Sequence, residues 1–464
     1  MSECTHSYYR LDLKLISPML IGSGKNRNTD NDVLVGSDGK PYIPATSIAG
    51  AFRSIAGKEA AKTLFGYVET NGQKEKPGLS ETDEPTEQKY ESAAESPVII
   101  SDAVTNDETY VTERDNIALD EYKVAKSNPI NGGKAGAKFN YEVVQPGAVF
   151  TSIVEINKKN ADIAERFEKL LAKVDKDGLS LGAKTTRGLG SVKLTVYKRS
   201  FDLEKELDEW LDFDPFKKDV FGEGDLLELP SEASTDKLRI DLKLEQTGGL
   251  SIRWYTGEIG GENEAKIKNS PLLVRADVKE DEEATIDYIS DPNTPSALSL
   301  PVVPGTSWAG AIRHRFSELV NDDALVKSIF GFVDNAIEKN EAEPAIKSKI
   351  SFSETVLHYG KPKTLTRIAV NRFSRAVKDG ASLTEQSVFY GKGELVIRID
   401  KGVEKKGLYA LMAVIADLHN GYLAVGGETA IGRGMFKIKE MKINGKSVSP
   451  VCFDNMKEVL NACV

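Results

Sequence analysis

The sequence predicts an α+β protein made of two ferredoxin-like, RRM-like domains in tandem. Three observations lead there. The chain repeats blocks of its own sequence in the same order. Each repeat opens on a strand of period two and places two helices among its strands. The 464 residues, 40% hydrophobic and 28% charged, hold enough apolar material for two or three cores.

The repeat is read directly. Residues 41–53 are PYIPATSIAGAFR and residues 301–313 are PVVPGTSWAGAIR. Pro44 aligns with Pro304, Thr46 with Thr306, Ser47 with Ser307, Gly50 with Gly310 and Arg53 with Arg313. LFG (64–66) and IFG (329–331) follow these blocks. ERDNIALD (113–120) pairs with TRIAVN (366–371), and TTRGLGSVKL (185–194) with TAIGRGMFKI (429–438). Three blocks in one order indicate a duplication. The domain boundaries follow: a first unit over 1–200, an acidic linker over 201–235 and a second unit over 236–464.

Within each unit the elements come in the order β-α-β-β-α-β. The opening strands carry Tyr9, Leu11, Leu13 and Leu15, and Leu238, Ile240 and Leu242, at alternate positions. A helix follows at ATSIAGAFRSIAG, with Thr46 or Ser47 as its cap. Strands are expected at 97–104 and 349–359, then at 148–156 and 393–400. Second helices are expected over 161–174 and 408–419, and a last strand after each glycine turn. The stretches 67–96, 104–146 and 275–298 are too long for tight connections, so they read as functional or disordered insertions.

Composition excludes several classes. No apolar run approaches 18 residues, and the start MSECTHSYYRLDLKL lacks a signal-peptide pattern. Cys4, Cys452 and Cys463 show no CxxC spacing, so no zinc site or disulfide framework is expected and a reducing cytoplasm is the expected setting. No HExxH, GxSxG or P-loop pattern occurs. The net charge of −10 opposes simple phosphate neutralisation, but the acid residues concentrate in 67–96, 202–235 and 279–292. The remaining body is roughly neutral and has room for a basic face.

The ordered motifs, xIPxTSxxGxxR, a downstream FG, an R-x-x-I-A segment and a late G-x-G turn, occur in the first unit and recur in the second with Val303 for the isoleucine and Arg367-Ile368-Ala369 for the R-x-x-I-A segment. Together they resemble the RAMP superfamily of CRISPR-associated proteins, and most of all the backbone subunits of type III effectors. The resemblance implies guide (CRISPR) RNA, target RNA and other effector subunits as partners, with no membrane role. It also implies thumb-like β-hairpins at about 110–146 and 360–392. The basic stretches GGKAGAKF, with Lys134 and Lys138, and KPKTLTR, with Arg367, suit sequence-independent phosphate contact.

Other candidate RNA contacts are Lys184 and Arg187 in GAKTTRGLG and Arg433 in VGGETAIGRG, where Glu428 replaces the lysine. The alternative at each is a tight strand turn with solvated cations. The helix starts offer N–H groups beside Ser47 and Ser307. Arg53 and Arg313 lie further along, where a surface salt bridge is the alternative.

Some RAMP members cut target RNA with an aspartate on the loop after the first strand. That pattern falls on Asp30 in IGSGKNRNTDNDVLV, with Asp32 as the neighbouring candidate, Lys25 and Arg27 beside the phosphate, and Mg2+ on Asp30. The alternative for TDND is an Asx turn. In the second unit the position reads Asn269, near Glu262 and Glu264, and asparagine offers no anionic ligand. Asp115 and Asp120 are lesser candidates. Three functions stand open: an RNA-binding backbone subunit, a non-catalytic assembly subunit that docks through the acidic linker, and a guide-processing endoribonuclease using His314.

Overall fold

The computed structural model describes residues 5–24, 29–70, 90–105, 108–117, 138–156, 161–217, 219–230, 235–254, 270–277, 297–333 and 345–464. In the first unit the strand Thr5–Leu15 is central. It pairs antiparallel with Val149–Ile156 on one side and Ser191–Asp202 on the other. Val98–Ile100 lies beyond the former and Leu179–Ser180 beyond the latter. The second unit repeats the sheet with Ile350–Phe352, Lys392–Asp400, Lys237–Gln246 and Phe436–Ile443 in that order. Counting main strands in chain order, both sheets run second, third, first, fourth, the ferredoxin-like arrangement.

Alternation fixes which face is covered. Tyr9, Leu11, Leu13 and Leu15 are at most 1% exposed. They pack on Phe52 of the helix Ala45–Ala56 and Phe167 of the helix Ala161–Asp177. Each such side chain contributes roughly 1.5–3 kcal/mol. In the second unit Ile240 and Leu242 pack with Trp308 and Phe316 of Gly305–Val320 and with Met412 and Ile415 of Lys405–Asn420.

The acidic stretch after the first unit is a folded cover rather than a solvated linker. Strand Ser191–Asp202 runs into it, and a helix forms at Leu207–Asp212. Trp210, Phe213 and Phe221 pack on Tyr8, Ile153 and Phe201, on the sheet face away from the helices. Trp210 Nε1 donates to Tyr8 Oη at 3.1 Å. Trp210, Phe213 and Phe221 face inward, while Phe216 stays 71% exposed.

The helix starts differ from expectation. Pro44 and Pro304 occupy the N-cap positions, and no side chain caps either helix. Thr46, Ser47, Thr306 and Ser307 therefore sit inside the first turn. The first free N–H, on Ala45, is bound instead by Asp102 Oδ1 at 2.7 Å. A carboxylate already holds the place where a phosphate was expected.

The FG signal has a mechanical reason. Arg53 Nη1 donates to the carbonyls of Phe65 (2.8 Å) and Gly66 (3.1 Å), tying the helix to that corner. Gly66 has φ +66°, and a Cβ there would lie 2.3 Å from the carbonyl of Ala94. Gly190 is tighter still, with φ +72° and Leu181 O at 1.8 Å from the added Cβ. Gly190→Ala is expected to abolish folding of the first unit. Gly432→Ala, at φ +83° with open space around it, is expected to cost only roughly 1–2 kcal/mol. Urea unfolding of the two variants checks this contrast.

Two hairpins project where thumbs were expected. One pairs Val111–Ile117 with Lys138–Val144, the other Lys361–Val370 with Val377–Phe389. Their positions make up the extra pieces beyond the ferredoxin-like core. No helix among the described residues is long and apolar enough to cross a membrane.

Candidate nucleic-acid interface

In both units the segment after the first strand links the glycine turn to the hairpin, bridging it at Met19–Val144 and Leu250–Val388. Gly190 N donates to Pro18 O (2.7 Å) and Ala183 N to Leu20 O (2.7 Å). Gly434 N donates to Gly249 O (2.8 Å) and Gly427 N to Ser251 O (2.8 Å). These bonds make the roots comparable residue by residue, and the comparison reveals an exchange of chemistry. The first root is apolar: Leu20, Tyr141, Val143 and Leu189 form one buried cluster. Ser251, Glu385, Ser387 and Arg433 take those places in the second unit.

The second root is an ion network. Glu385 is 1% exposed. Arg433 Nη2 lies 2.6 Å from it, Arg253 Nη2 2.8 Å and Arg367 Nη2 3.0 Å. Glu428 is 3.0 Å from both Arg253 and Arg433, and it also pairs with Arg367. Arg433 additionally donates to Ser387. Burial alone would raise the Glu428 carboxyl, but the hydrogen bond from Arg367 and the charge of Arg433 hold it below the ordinary glutamate value.

Several expected RNA contacts therefore have other partners. Arg433 is buried in this network, and Arg367 turns inward to it. Arg53 holds the Phe65–Gly66 carbonyls. Lys184 lies over the hairpin aromatics, with its ammonium 3.6 Å from the Tyr141 ring centre and 4.5 Å from that of Phe139. Burial first, and then the charge of Arg187, lower its pKa to about 8. The sequence could not show these partners, because most lie dozens of residues away along the chain.

Other candidates remain placed to meet a strand. Ser47 lines a groove of about 570 Å3 between the units, together with Ser54, Thr185, Thr186, Lys347 and Lys349. Hydroxyls, backbone amides and lysines are what phosphate contact uses, and Lys347 and Lys349 were missed because no motif marks them. Arg187 and Arg313 are exposed and Ser307 is half-buried. Lys25, Arg27 and Lys134 lie outside the described residues, as do Asn269, Glu262, Glu264 and Asp120. The backbone of Lys138 is described, opposite Ile117 in the first hairpin.

The tip of the second hairpin is open. Phe373 is 86% exposed, with the guanidinium of Arg372 5.2 Å from its ring centre. Asn371 Oδ1 accepts from Phe373 N (2.9 Å) and Ser374 N (3.2 Å), which shapes the bend. Lys361, Arg375 and Lys378 are exposed on the same hairpin.

The aspartate loop is stapled to the foot of the first hairpin. Asp30 N donates to Asn140 Oδ1 and Asn140 N to Asp30 Oδ2, both at 3.2 Å. Val33 N donates to Glu142 Oε2 at 2.9 Å. Asp30 faces solvent. Asp32 does not: its Oδ1 accepts from Thr29 N (3.0 Å) and Thr29 Oγ1 (2.6 Å), so it is a buried turn residue rather than a catalytic one. Asp115 is half-buried on the hairpin strand. Among the described residues, no three His, Cys, Asp or Glu side chains converge to hold a metal. His314 stands on a helix surface, 3.3 Å from Glu318.

Comparison with known proteins agrees with this architecture. No curated protein matches the chain. The RAMP superfamily matches residues 12–193 and 270–437, one stretch in each unit and most of the chain in all. The protein belongs to the RAMP superfamily, and membership implies a CRISPR-associated, RNA-binding role.

Proposed function

We propose that the protein is a backbone subunit of a type III CRISPR effector complex, holding guide and target RNA beside other effector subunits. The observation that carries this reading is the pair of hairpins rooted at equivalent places on two tandem units, with the second ending in the exposed Arg372-Phe373 tip. Arginine beside an exposed ring suits both phosphate and base contact. The lysine-lined groove between the units would track the backbone without reading sequence. In the assembled complex, alanine at Lys347, Lys349, Arg372 and Arg375 is expected to flatten the salt dependence of RNA binding. The slope of log K against log salt should fall by roughly 0.7 for each phosphate that is no longer neutralised. An unchanged slope would refute this assignment.

As part of the same proposal, Asp30 cuts target RNA. A phosphate at the foot of the first hairpin would bring a 2′-hydroxyl within reach of its carboxylate, which would orient that hydroxyl for in-line attack. A magnesium ion there would complete its shell with water and phosphate oxygens, as Mg2+ commonly does. Asp30→Ala is expected to remove one set of target cuts, by roughly 10²–10⁴-fold, with RNA binding intact. Gel analysis of the cleavage ladder decides it, and an unchanged ladder removes Asp30 from the reaction.

A further inference from the structure

The two units meet at a joint. Arg114 reaches across from the first hairpin and holds both carboxylate oxygens of Glu354 in the second unit, with each side chain 4% exposed. A cavity of about 880 Å3 opens beside this pair, within the size range of small-molecule sites. The helix-free face of the second sheet supplies Lys237, Glu394 and Arg398 to it, and the first unit supplies Ile16, Pro18 and Gly178.

Arg398 is the unexplained group in this wall. Its register partner on the neighbouring strand is Arg239, so two arginines stand directly opposite each other. Like charges so placed are destabilising. Arg239 is answered by Asp241 at 2.8 Å. The Arg398 guanidinium has no such answer: among the described residues it makes no hydrogen bond and no ion pair. The charge of buried Asp177 reaches it, but Asp177 Oδ1 accepts instead from Thr235 Oγ1 at 2.5 Å. Burial first, and then the charge of Arg239, lower the Arg398 pKa. The guanidinium lies against Gly178, where an added Cβ would be 3.0 Å from Nη2 and 3.2 Å from Cζ, so the glycine makes room for it.

A second cation stands close by. Lys237, two residues before Arg239 on the same strand, lines the cavity and makes no ion pair among the described residues. Ser180 and Ser351 add hydroxyls to the lining. The carboxylates of the cavity are engaged or distant. Glu354 is held by Arg114, Glu245 lies 2.5 Å from Lys439, and Glu394 stands opposite Lys243 towards the other end of its strand. Ile16 is 59% exposed and gives the cavity an apolar surface.

We propose that this cavity binds a small organic phosphate, with its phosphate on Arg398 and Lys237 and its organic part along Ile16 and Pro18. Such a ligand touches both units and neutralises the opposed arginines, so it ties the joint. A nucleic-acid strand is the poorer fit, because it would carry further phosphates past Glu245 and Glu394. This inference rests on the orphaned guanidinium, not on the reading of the chain as an RNA-binding subunit.

Calorimetric titration of the full-length chain tests it, with AMP as the organic phosphate and inorganic phosphate as the bare head group. AMP is expected to bind once per chain and more tightly than phosphate. Arg398→Gln is expected to weaken AMP binding by roughly 10–100-fold. Without ligand that variant should melt no lower than the wild type, because the like-charge pair is gone. AMP should raise the melting temperature of the wild type and leave that of the variant in place. The proposal is overturned if AMP fails to bind or binds no more tightly than phosphate. It is equally overturned if Arg398→Gln leaves AMP binding unchanged, or if single-stranded RNA displaces AMP, which would give Arg398 to the RNA groove. If Arg398→Gln melts without a cooperative transition, Lys237→Met carries the same expectation for AMP affinity and the same refutation.

Discussion

Arg114→Ala is expected to lower stability by roughly 3–5 kcal/mol, because it leaves the Glu354 carboxylate buried without its partner. Burial on its own would favour a neutral guanidinium. The adjacent Glu354 charge and its hydrogen bonds outweigh that and raise the Arg114 pKa. The destabilisation should have a particular form. Each unit has its own core, so the variant is expected to unfold in two transitions where the wild type shows one. Calorimetry separates these outcomes, and a single transition with a small shift would refute the joint's energetic role. Arg114→Met with Glu354→Leu, which removes both charges and keeps the volume, is expected to recover most of the stability.

The second large effect is expected at the root of the second hairpin. Glu385→Ala leaves Arg253, Arg367 and Arg433 converging with Glu428 as their remaining carboxylate, again at a cost of roughly 3–5 kcal/mol. The network also makes stability depend on pH in a definite direction. The folded Glu428 carboxyl lies below its ordinary value of 4.5, so the unfolded chain binds the proton first. Its contribution is complete above that value and is lost as pH falls through the lower folded one. Giving Ser251, Arg253, Glu385, Ser387, Glu428 and Arg433 the residues of the first root (Leu, Gly, Tyr, Val, Lys and Leu) is expected to flatten this acid limb. Denaturant titrations across the acid range measure it.

What the sequence made legible follows from period and repetition. Alternating Leu11, Leu13 and Leu15 can bury one face only, so the central strand and its covered side were readable. The duplication doubled each signal, and the family resemblance placed both hairpins. The capping assignment failed because Thr46 and Ser47 have the right chemistry two and three positions too late, behind Pro44. The stretch 202–235 misled because its charge dominates its composition, while Trp210, Phe213 and Phe221 decide its packing. The site was least legible. A cation such as Arg433 or Arg53 looks the same in sequence whether it meets a phosphate or a carboxylate and carbonyl elsewhere in the fold. Asp30 lies at the foot of a hairpin and open to solvent.

The covered sheet of the first unit has a bearing on how a strand would be read. RRM domains present bases to aromatic residues on the sheet face away from the helices. Here Tyr8 and Phe201 lie on that face, but Trp210 and Phe213 are packed over them. In the second unit the corresponding face carries the pairs Arg239–Asp241, Lys243–Glu440 and Lys439–Glu245. Among the described residues, neither sheet offers a surface on which nucleobases could lie flat. A chain built this way leaves its hairpins and loops, not its sheet faces, as the surfaces open to a partner strand.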